Sequence, residues 1–325
     1  NGQFDMLRNT YITDYITEKA LDFLKGKDKD RPFYLSVHYT APHTPWERSQ
    51  HPAEFYNLYQ DCPFTETPNV PPHKWGHGYS QEERRNRLQG YYAAVSAMDS
   101  DIGKIVDYLK AEGTWEDTIF IFTADNGMSM GHHGIFGKGN GTFPLNLYDT
   151  AVKVPMIIVY PKGIPAGSVA EGLYSHYDLL PTIAGLMGEE PDSDCPGRSF
   201  QEIFSGQVPD GRDAVVVYDE YGPARMIRTR EYKYIQRTRY GEDEFYDLKA
   251  DPGEEVNLAN EDNDVVKEKI AALRERLEQW FAQYSDSDRD GFHLPVFGEG
   301  QIALVGKAGA GAKAFIEKAN KHRIG

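Results

Sequence analysis

Cysteine is scarce: only Cys62 and Cys195 occur in 325 residues. No disulfide framework can therefore carry the fold, and the pair forms either one bridge or two free thiols. Base is also in short supply. Lys and Arg number 35 against 50 Asp and Glu, a net charge of −15. That argues against a nucleic-acid binder, which needs a basic face to neutralise phosphates. It does not exclude a small anionic substrate, because a local metal or lysine overrides the global field. No apolar run approaches the roughly 20 residues of a membrane span. Internal repeats and low-complexity tracts are missing. The chain opens on Asn1, without Met and without a signal peptide, so it is expected to start at a processed, trimmed or truncated end that says nothing about compartment.

What is there is an ordinary globular composition, 40% hydrophobic and 26% charged. It is long enough for one large α/β domain or a large domain with a small one. Ile12, Tyr15, Ile16, Ala20, Phe23 and Leu24 recur at helical spacing, predicting a helix from Tyr11 to Leu24. Phe33 to Val37 reads as a strand, and the loop Ala41-Pro42-His43-Thr44-Pro45-Trp46 follows shortly after it. Two prolines stiffen the backbone around His43, as a positioned acid or anion ligand needs, although taken alone His43 reads as a surface loop histidine. The irregular stretch from Ser49 to Tyr79 is long enough to cover a binding site. Its His73, Trp75 and His77, with Trp46, suit a sugar or aryl pocket, or else the surface packing of an insertion.

Leu88, Tyr92, Val95, Met98, Ile102, Ile105 and Leu109 mark a long helix from about Gln81 to Lys110, closed by Gly113. A short apolar strand, Thr118 to Thr123, comes next. Helix followed by buried strand is the repeating unit of a parallel sheet with helices on its faces. At the carboxyl end of that strand, where such sheets bind ligands, lies T-A-D-N-G-M-S-M-G-H-H-G-I-F-G-K, residues 123–138. Asp125 and Asn126 offer adjacent oxygens for a hard cation. His132, His133 and Lys138 add groups suited to an anionic substrate.

Val154 to Tyr160 is the next strand, with Pro155 marking an edge or bulge, and Asp178 caps a short helix that ends near Met187. From Asp213 the character changes. Val215–Tyr218, Met226–Thr229, Tyr232–Gln236 and Glu244–Asp247 read as a small antiparallel sheet. A helix from Asp264 to Tyr284 and a Gly-rich tail follow.

Four segments together resemble the sulfatase family of alkaline-phosphatase-like hydrolases: A-P-H-T-P at 41–45; Y-Y-A-A-V-S-A-M-D-S-D-I-G-K-I-V-D-Y-L at 91–109 leading into T-A-D-N-G and G-H-H-G-I-F-G-K; S-H-Y-D-L-L-P-T-I at 175–183 with G-R-S-F at 197–200; and E-F-Y-D-L-K-A-D-P-G-E-E-V-N-L-A at 244–259. Each is weak alone; their order and spacing are specific. The resemblance implies a sulfuric-ester hydrolase acting on a sulfated small molecule or carbohydrate. Asp125 and Asn126 would be the later pair of metal ligands, for Ca²⁺ rather than Mg²⁺. Lys138 would contact the sulfate, His43 would protonate the leaving alcohol, and His133, ahead of His132, would sit beside the substrate. Such a site stabilises charge on the sulfuryl and leaving oxygens.

The family also uses a Cys or Ser in C/S-x-P-x-R, converted to formylglycine, and an early Asp-Asp pair. Neither occurs here. In Cys195-Pro196-Gly197-Arg198 the Pro follows Cys directly and the Arg comes one position early, so it is rejected as the nucleophile. The chain is thus expected to be the C-terminal portion of a sulfatase, inactive alone, whose nucleophile and remaining ligands come from its own missing N-terminal segment. Expected domains are 1–205, the later part of an α/β domain with a mainly parallel sheet sandwiched by helices; 206–285, the small antiparallel sheet with its helix; and 286–325, the tail. No nucleic acid or membrane span is expected, and a periplasmic or secreted location is favoured over a cytoplasmic one. Two other readings stay open: a phosphonate or phosphodiester hydrolase of the same superfamily, and a non-catalytic remnant that binds a sulfated ligand.

Overall fold

The computed structural model describes residues 9–190, 194–219, 222–238, 241–288 and 290–293. The tail from 294 to 325 lies outside the described residues. The chain divides into two compact units, residues 1–67 with 78–118 and residues 68–77 with 119–325.

The first unit is helical. It comprises α1 (Ile12–Gly26), α2 (Ala53–Asn57) and α3 (Gln81–Ala111). A capping box starts α3: Glu83 N–H donates to Ser80 Oγ at 3.2 Å, and Ser80 N–H donates back to Glu83 Oε2 at 2.8 Å. Helix α1 lies where its periodicity predicts, but its buried stripe is rotated. Thr13, Thr17, Ala20 and Leu24 face inward, while Ile12 and Phe23 are exposed. The reason is a buried carboxylate on α3. Thr17 Oγ1 donates to Asp101 Oδ2 at 2.8 Å and lies 2.7 Å from the Tyr39 hydroxyl. A buried carboxylate left without donors costs more than two exposed apolar side chains.

Phe33, Leu35 and Val37 pack with Ala20, Leu24, Ile105 and Leu109, while Tyr34 points to solvent. The alternation of a strand is therefore present, but this stretch joins no ladder among the described residues.

The second unit contains β1 (Phe120–Thr123), β2 (Ser129–Met130), β3 (Phe136–Gly137), α4 (Asp149–Val152), β4 (Met156–Val159), α5 (Leu179–Leu186), the strands β5 (Ala214–Tyr218), β6 (Ala224–Thr229), β7 (Tyr232–Arg237) and β8 (Glu244–Asp247), and α6 (Asp264–Tyr284). Here the described strands do not form the expected parallel sheet. β1 pairs β4 antiparallel, with Phe120 opposite Val159 and Thr123 opposite Met156. No parallel ladder occurs among the described residues. A parallel return needs a crossover, usually a helix of a dozen residues or more. Residues 124–155 are spent on a hairpin and the four-residue α4 instead, so the chain comes back alongside β1 in the opposite sense.

The small antiparallel sheet is as expected, a meander in the order β5-β6-β7-β8. Val216, Ile227, Tyr234 and Phe245 form one cross-strand row against Ile270, Leu273, Leu277 and Phe281 of α6. Asn263 caps that helix, accepting from Val265 N–H at 3.0 Å. The opposite face of the sheet, with Ala224, Met226, Ile235 and Tyr246, packs on Leu147 and Tyr148. It thereby supports the loop just ahead of α4. No helix among the described residues is long and apolar enough to cross a membrane, and both cysteines are free thiols.

Candidate active site

Strand β1 ends at Thr123, whose Oγ1 donates to Pro155 O at 2.9 Å and so ties the strand end to β4. The chain then turns through Gly127, whose N–H donates to Ala151 O at 2.9 Å. A Cβ on Gly127 would come within 2.3 Å of Thr150 O, so only glycine lets the turn approach α4 this closely. Within this turn Asp125 Oδ1 accepts from Asn126 N–H at 2.8 Å. Asn126 donates from Nδ2 to Gly127 O at 2.7 Å, which fixes the amide with Oδ1 outward. That oxygen accepts from Lys138 Nζ at 3.0 Å.

Three of the expected groups, a carboxylate, an amide oxygen and an ammonium, are thus brought together. As a metal site the turn is partial. A hard cation takes six to eight oxygens, and the described residues contain no group of three or more His, Cys, Asp or Glu side chains able to hold one. Asp125 and Asn126 fit as part of a shell and do not make one by themselves.

The hairpin β2–β3 presents His132 and His133 between Gly131 (φ 109°) and Gly134 (φ 68°). His133 itself is left-handed at φ 54°, an uncommon conformation for a residue with a side chain. The backbone of residues 68–76 holds the hairpin there. His73 N–H donates to Gly134 O at 3.0 Å, and a Cβ on Gly131 or Gly134 would lie 2.4 Å from Pro68 O or 2.1 Å from Pro71 O.

The His133 ring lies flat on Tyr148, with centroids 3.7 Å apart and planes 8° from parallel. Burial lowers its pKa, His132, His73 and Lys233 push the same way, and only Asp251 opposes. Burial likewise lowers His132 and His73. His132 Nδ1 is buried without a hydrogen-bond partner. Trp75, expected as a pocket wall, is half-buried edge-on to Phe143 in this same unit.

His43 belongs to the first unit. Its loop is anchored by Trp46, which is buried and donates from Nε1 to Pro42 O at 2.8 Å. Gly90 of α3 makes room for that anchor, since a Cβ there would be 1.9 Å from Trp46 O. His43 is exposed, and its Nδ1 lies 2.9 Å from Thr44 O. A carbonyl only accepts, so Nδ1 carries the proton and Nε2 is left for a ligand. Trp46 is thus a core anchor and not a pocket wall.

The segment that follows Cys195 is tied into a scaffold around Asp178. Asp178 accepts from Arg198 N–H at 2.8 Å and from Arg212 Nε at 2.8 Å, and Arg212 Nη2 reaches Pro196 O at 2.6 Å.

Sequence reasoning missed the group behind His133. Lys233, the second residue of β7, is fully buried, with Nζ 2.6 Å from Asp149 Oδ1, paired with Glu254 and donating to Leu147 O at 3.1 Å. Arg228 also grips Asp149, from Nη2 to Oδ2 at 3.0 Å. Asp149 N–H donates to Glu254 Oε2 at 2.5 Å. Burial works to raise the Asp149 pKa, but Lys233 and Arg228 outweigh it and leave it lowered; burial prevails at Glu254, which is raised. The available signal was a lysine flanked by Tyr232, Tyr234 and Ile235, since lysine is almost never fully buried unless paired.

The sulfatase family model matches residues 3–189, and that of the N-sulphoglucosamine sulphohydrolase C-terminal region matches residues 131–283. An N-acetylglucosamine-6-O-sulfatase of Bacteroides thetaiotaomicron is 30% identical, over 86% of this chain and 63% of its own length. An arylsulfatase of Clostridium perfringens is 26% identical over 83% and 57%. The chain therefore spans somewhat over half the length of these curated relatives. A solved structure described as a complex with its substrate D-glucosamine-2-N,6-O-disulfate superposes with a TM-score of 0.73, at 26% identity, over 88% of this chain and 72% of that one. With a family match over more than half of its residues and the turn, lysine and hairpin in place, the chain belongs to the sulfatase family.

Proposed function

We propose that this chain supplies part of the active site of a sulfuric-ester hydrolase whose substrate is a sulfated amino sugar. The observation that carries the reading is the convergence of Lys138 Nζ on Asn126 Oδ1 at 3.0 Å beside the Asp125 carboxylate. The amino-sugar substrate is supported by the two relatives whose names specify one, a 6-O-sulfatase and a glucosamine disulfate complex.

In this reading the Lys138 ammonium faces the sulfuryl oxygens and balances their charge where it develops, an electrostatic role of the kind that commonly dominates catalysis. His43 holds a proton at Nε2 for the leaving alcohol oxygen; Nδ1 is engaged with Thr44 O, so Nε2 donates only as the imidazolium. His133 contacts the substrate from the hairpin, with His132 beside it. Asp125 and Asn126 contribute two oxygens to a divalent-metal shell, Ca²⁺ being the hard cation they suit. A formylglycine nucleophile and the other ligands come from polypeptide outside this chain; bound there, they supply the attacking oxygen and further charge neutralisation.

Sulfate release from N-acetylglucosamine-6-sulfate tests the reading. The 325-residue chain should give none, and the chain expressed together with the sequence encoded upstream of Asn1 should give turnover. Release by these residues alone, confirmed by intact mass, would overturn the two-part site. No release on any sulfated amino sugar by the longer protein would overturn the substrate.

A further inference from the structure

Among the described residues the His133 ring makes no hydrogen bond. A histidine with a left-handed backbone and both nitrogens uncommitted needs something else to fix its plane. Tyr148 is placed to do so. Its ring covers one face of the imidazole at 3.7 Å and 8°, which leaves the ring edge, where both nitrogens lie, for a ligand.

Tyr148 is itself fixed from behind. Its ring centroid lies 6.4 Å from that of Tyr246, whose hydroxyl donates to Glu244 Oε2 at 2.8 Å. It packs on the buried Leu147, Ala224, Met226 and Ile235 row. The next residue, Asp149, is held by Lys233 and Arg228, and Glu254 accepts its N–H. The cations come from β6 and β7, and Glu254 follows β8. The four-stranded sheet thus grips the two residues immediately under the histidine.

We propose that Tyr148 is the positioning residue of His133, setting the plane of its ring, and that the buried Lys233–Asp149–Glu254 cluster makes the C-terminal sheet the foundation of that placement. The substrate role of His133 rests on the sulfatase reading; the stack does not. The groups facing His133 are Tyr148, His132, His73, Lys233 and Asp251; burial and the charges of His132, His73 and Lys233 favour the neutral ring, and Asp251 opposes them. Held this way, His133 meets a sulfate ester as a neutral hydrogen-bonding edge.

The test reads the ring directly, without substrate, in the 325-residue chain labelled with ¹³C at histidine Cε1. In the parent protein one histidine resonance, assigned by His133→Gln, should carry an upfield ring-current shift and titrate below the ordinary histidine midpoint. Tyr148→Phe keeps the ring and loses only the hydroxyl, and should preserve both properties. Tyr148→Leu should abolish the ring-current shift and raise the midpoint, with the His43 resonance unmoved as a check that the chain is folded. If Tyr148→Leu does not fold, Tyr148→Met is read in its place. A His133 resonance that keeps its shift and midpoint in the aliphatic variant, or that loses them equally in Tyr148→Phe, overturns the proposal. Since no sulfate ester enters the experiment, the stack stands or falls apart from the sulfatase reading.

Discussion

Lys138 reaches back twelve residues to place its ammonium 3.0 Å from the Asn126 amide oxygen, next to the one carboxylate of the turn. The lysine leaves a hairpin whose register is pinned by Ser129 opposite Gly137 and Met130 opposite Phe136. Its backbone carbonyl is held by Asn146 Nδ2 at 3.1 Å. An ammonium fixed this way is preorganised for an anion. Lys138→Ala in the enzyme completed by its upstream segment should therefore lower kcat by more than ~10-fold, measured as sulfate release at saturating substrate. Unchanged turnover would remove Lys138 from the site.

The His43 loop depends on a position forty-seven residues further on. Trp46 O occupies the space a Cβ would take at Gly90. Gly90→Ala is expected to displace the Trp46 anchor or strain α3, costing about 1–3 kcal/mol as overpacking does. Urea denaturation checks it, and Gly103→Ala on the same helix, with open space around it, should instead be neutral or stabilising.

The helices were legible because their signals are local. Apolar spacing and Gly113 fall within a few residues of the elements they define, and α6 begins and ends where its stripe predicts. The four strands of the meander were legible for the same reason. The direction of β1 against β4 was not, since four apolar residues carry no mark of their neighbour's sense. The buried face of α1 was hidden by a partner, Asp101, 84 residues from Thr17. The Lys233 cluster was hidden likewise, its partners lying at 149 and 254. In the site, Asp125, Asn126 and Lys138 share one segment and could be read; Tyr148 meets His133 only through folding.

Burial lowers the pKa values of His73, His132 and His133 together. A histidine whose folded value lies below its unfolded 6.5 binds its proton more readily when unfolded. The stability it contributes is therefore complete above pH 6.5 and is lost as pH falls through the folded values. The urea midpoint should decline between pH 6.5 and 5, before most carboxylates titrate. His133→Gln should flatten that decline; a midpoint constant over the window would show the three rings to be solvated.

Removing Lys233 tests the cluster under the sheet. Lys233→Met keeps much of the side-chain volume but leaves Glu254 buried without its cation, while Asp149 retains Arg228. Breaking a buried pair from one side costs about 3–5 kcal/mol. The sign of the pH effect follows from Glu254, whose folded pKa burial already holds above 4.5 and which loses an opposing charge in the variant. A carboxyl raised in the folded state keeps its proton longer there than in the unfolded chain, so its contribution to stability falls as pH rises past 4.5. The deficit of Lys233→Met relative to the parent should accordingly be smaller at pH 5 than at pH 8. Adding Glu254→Gln should recover part of the loss and remove its pH dependence, because the residue left behind no longer ionises. Equal deficits at both pH values, or additive single and double variants, would mean that Lys233 stabilises the sheet by packing alone.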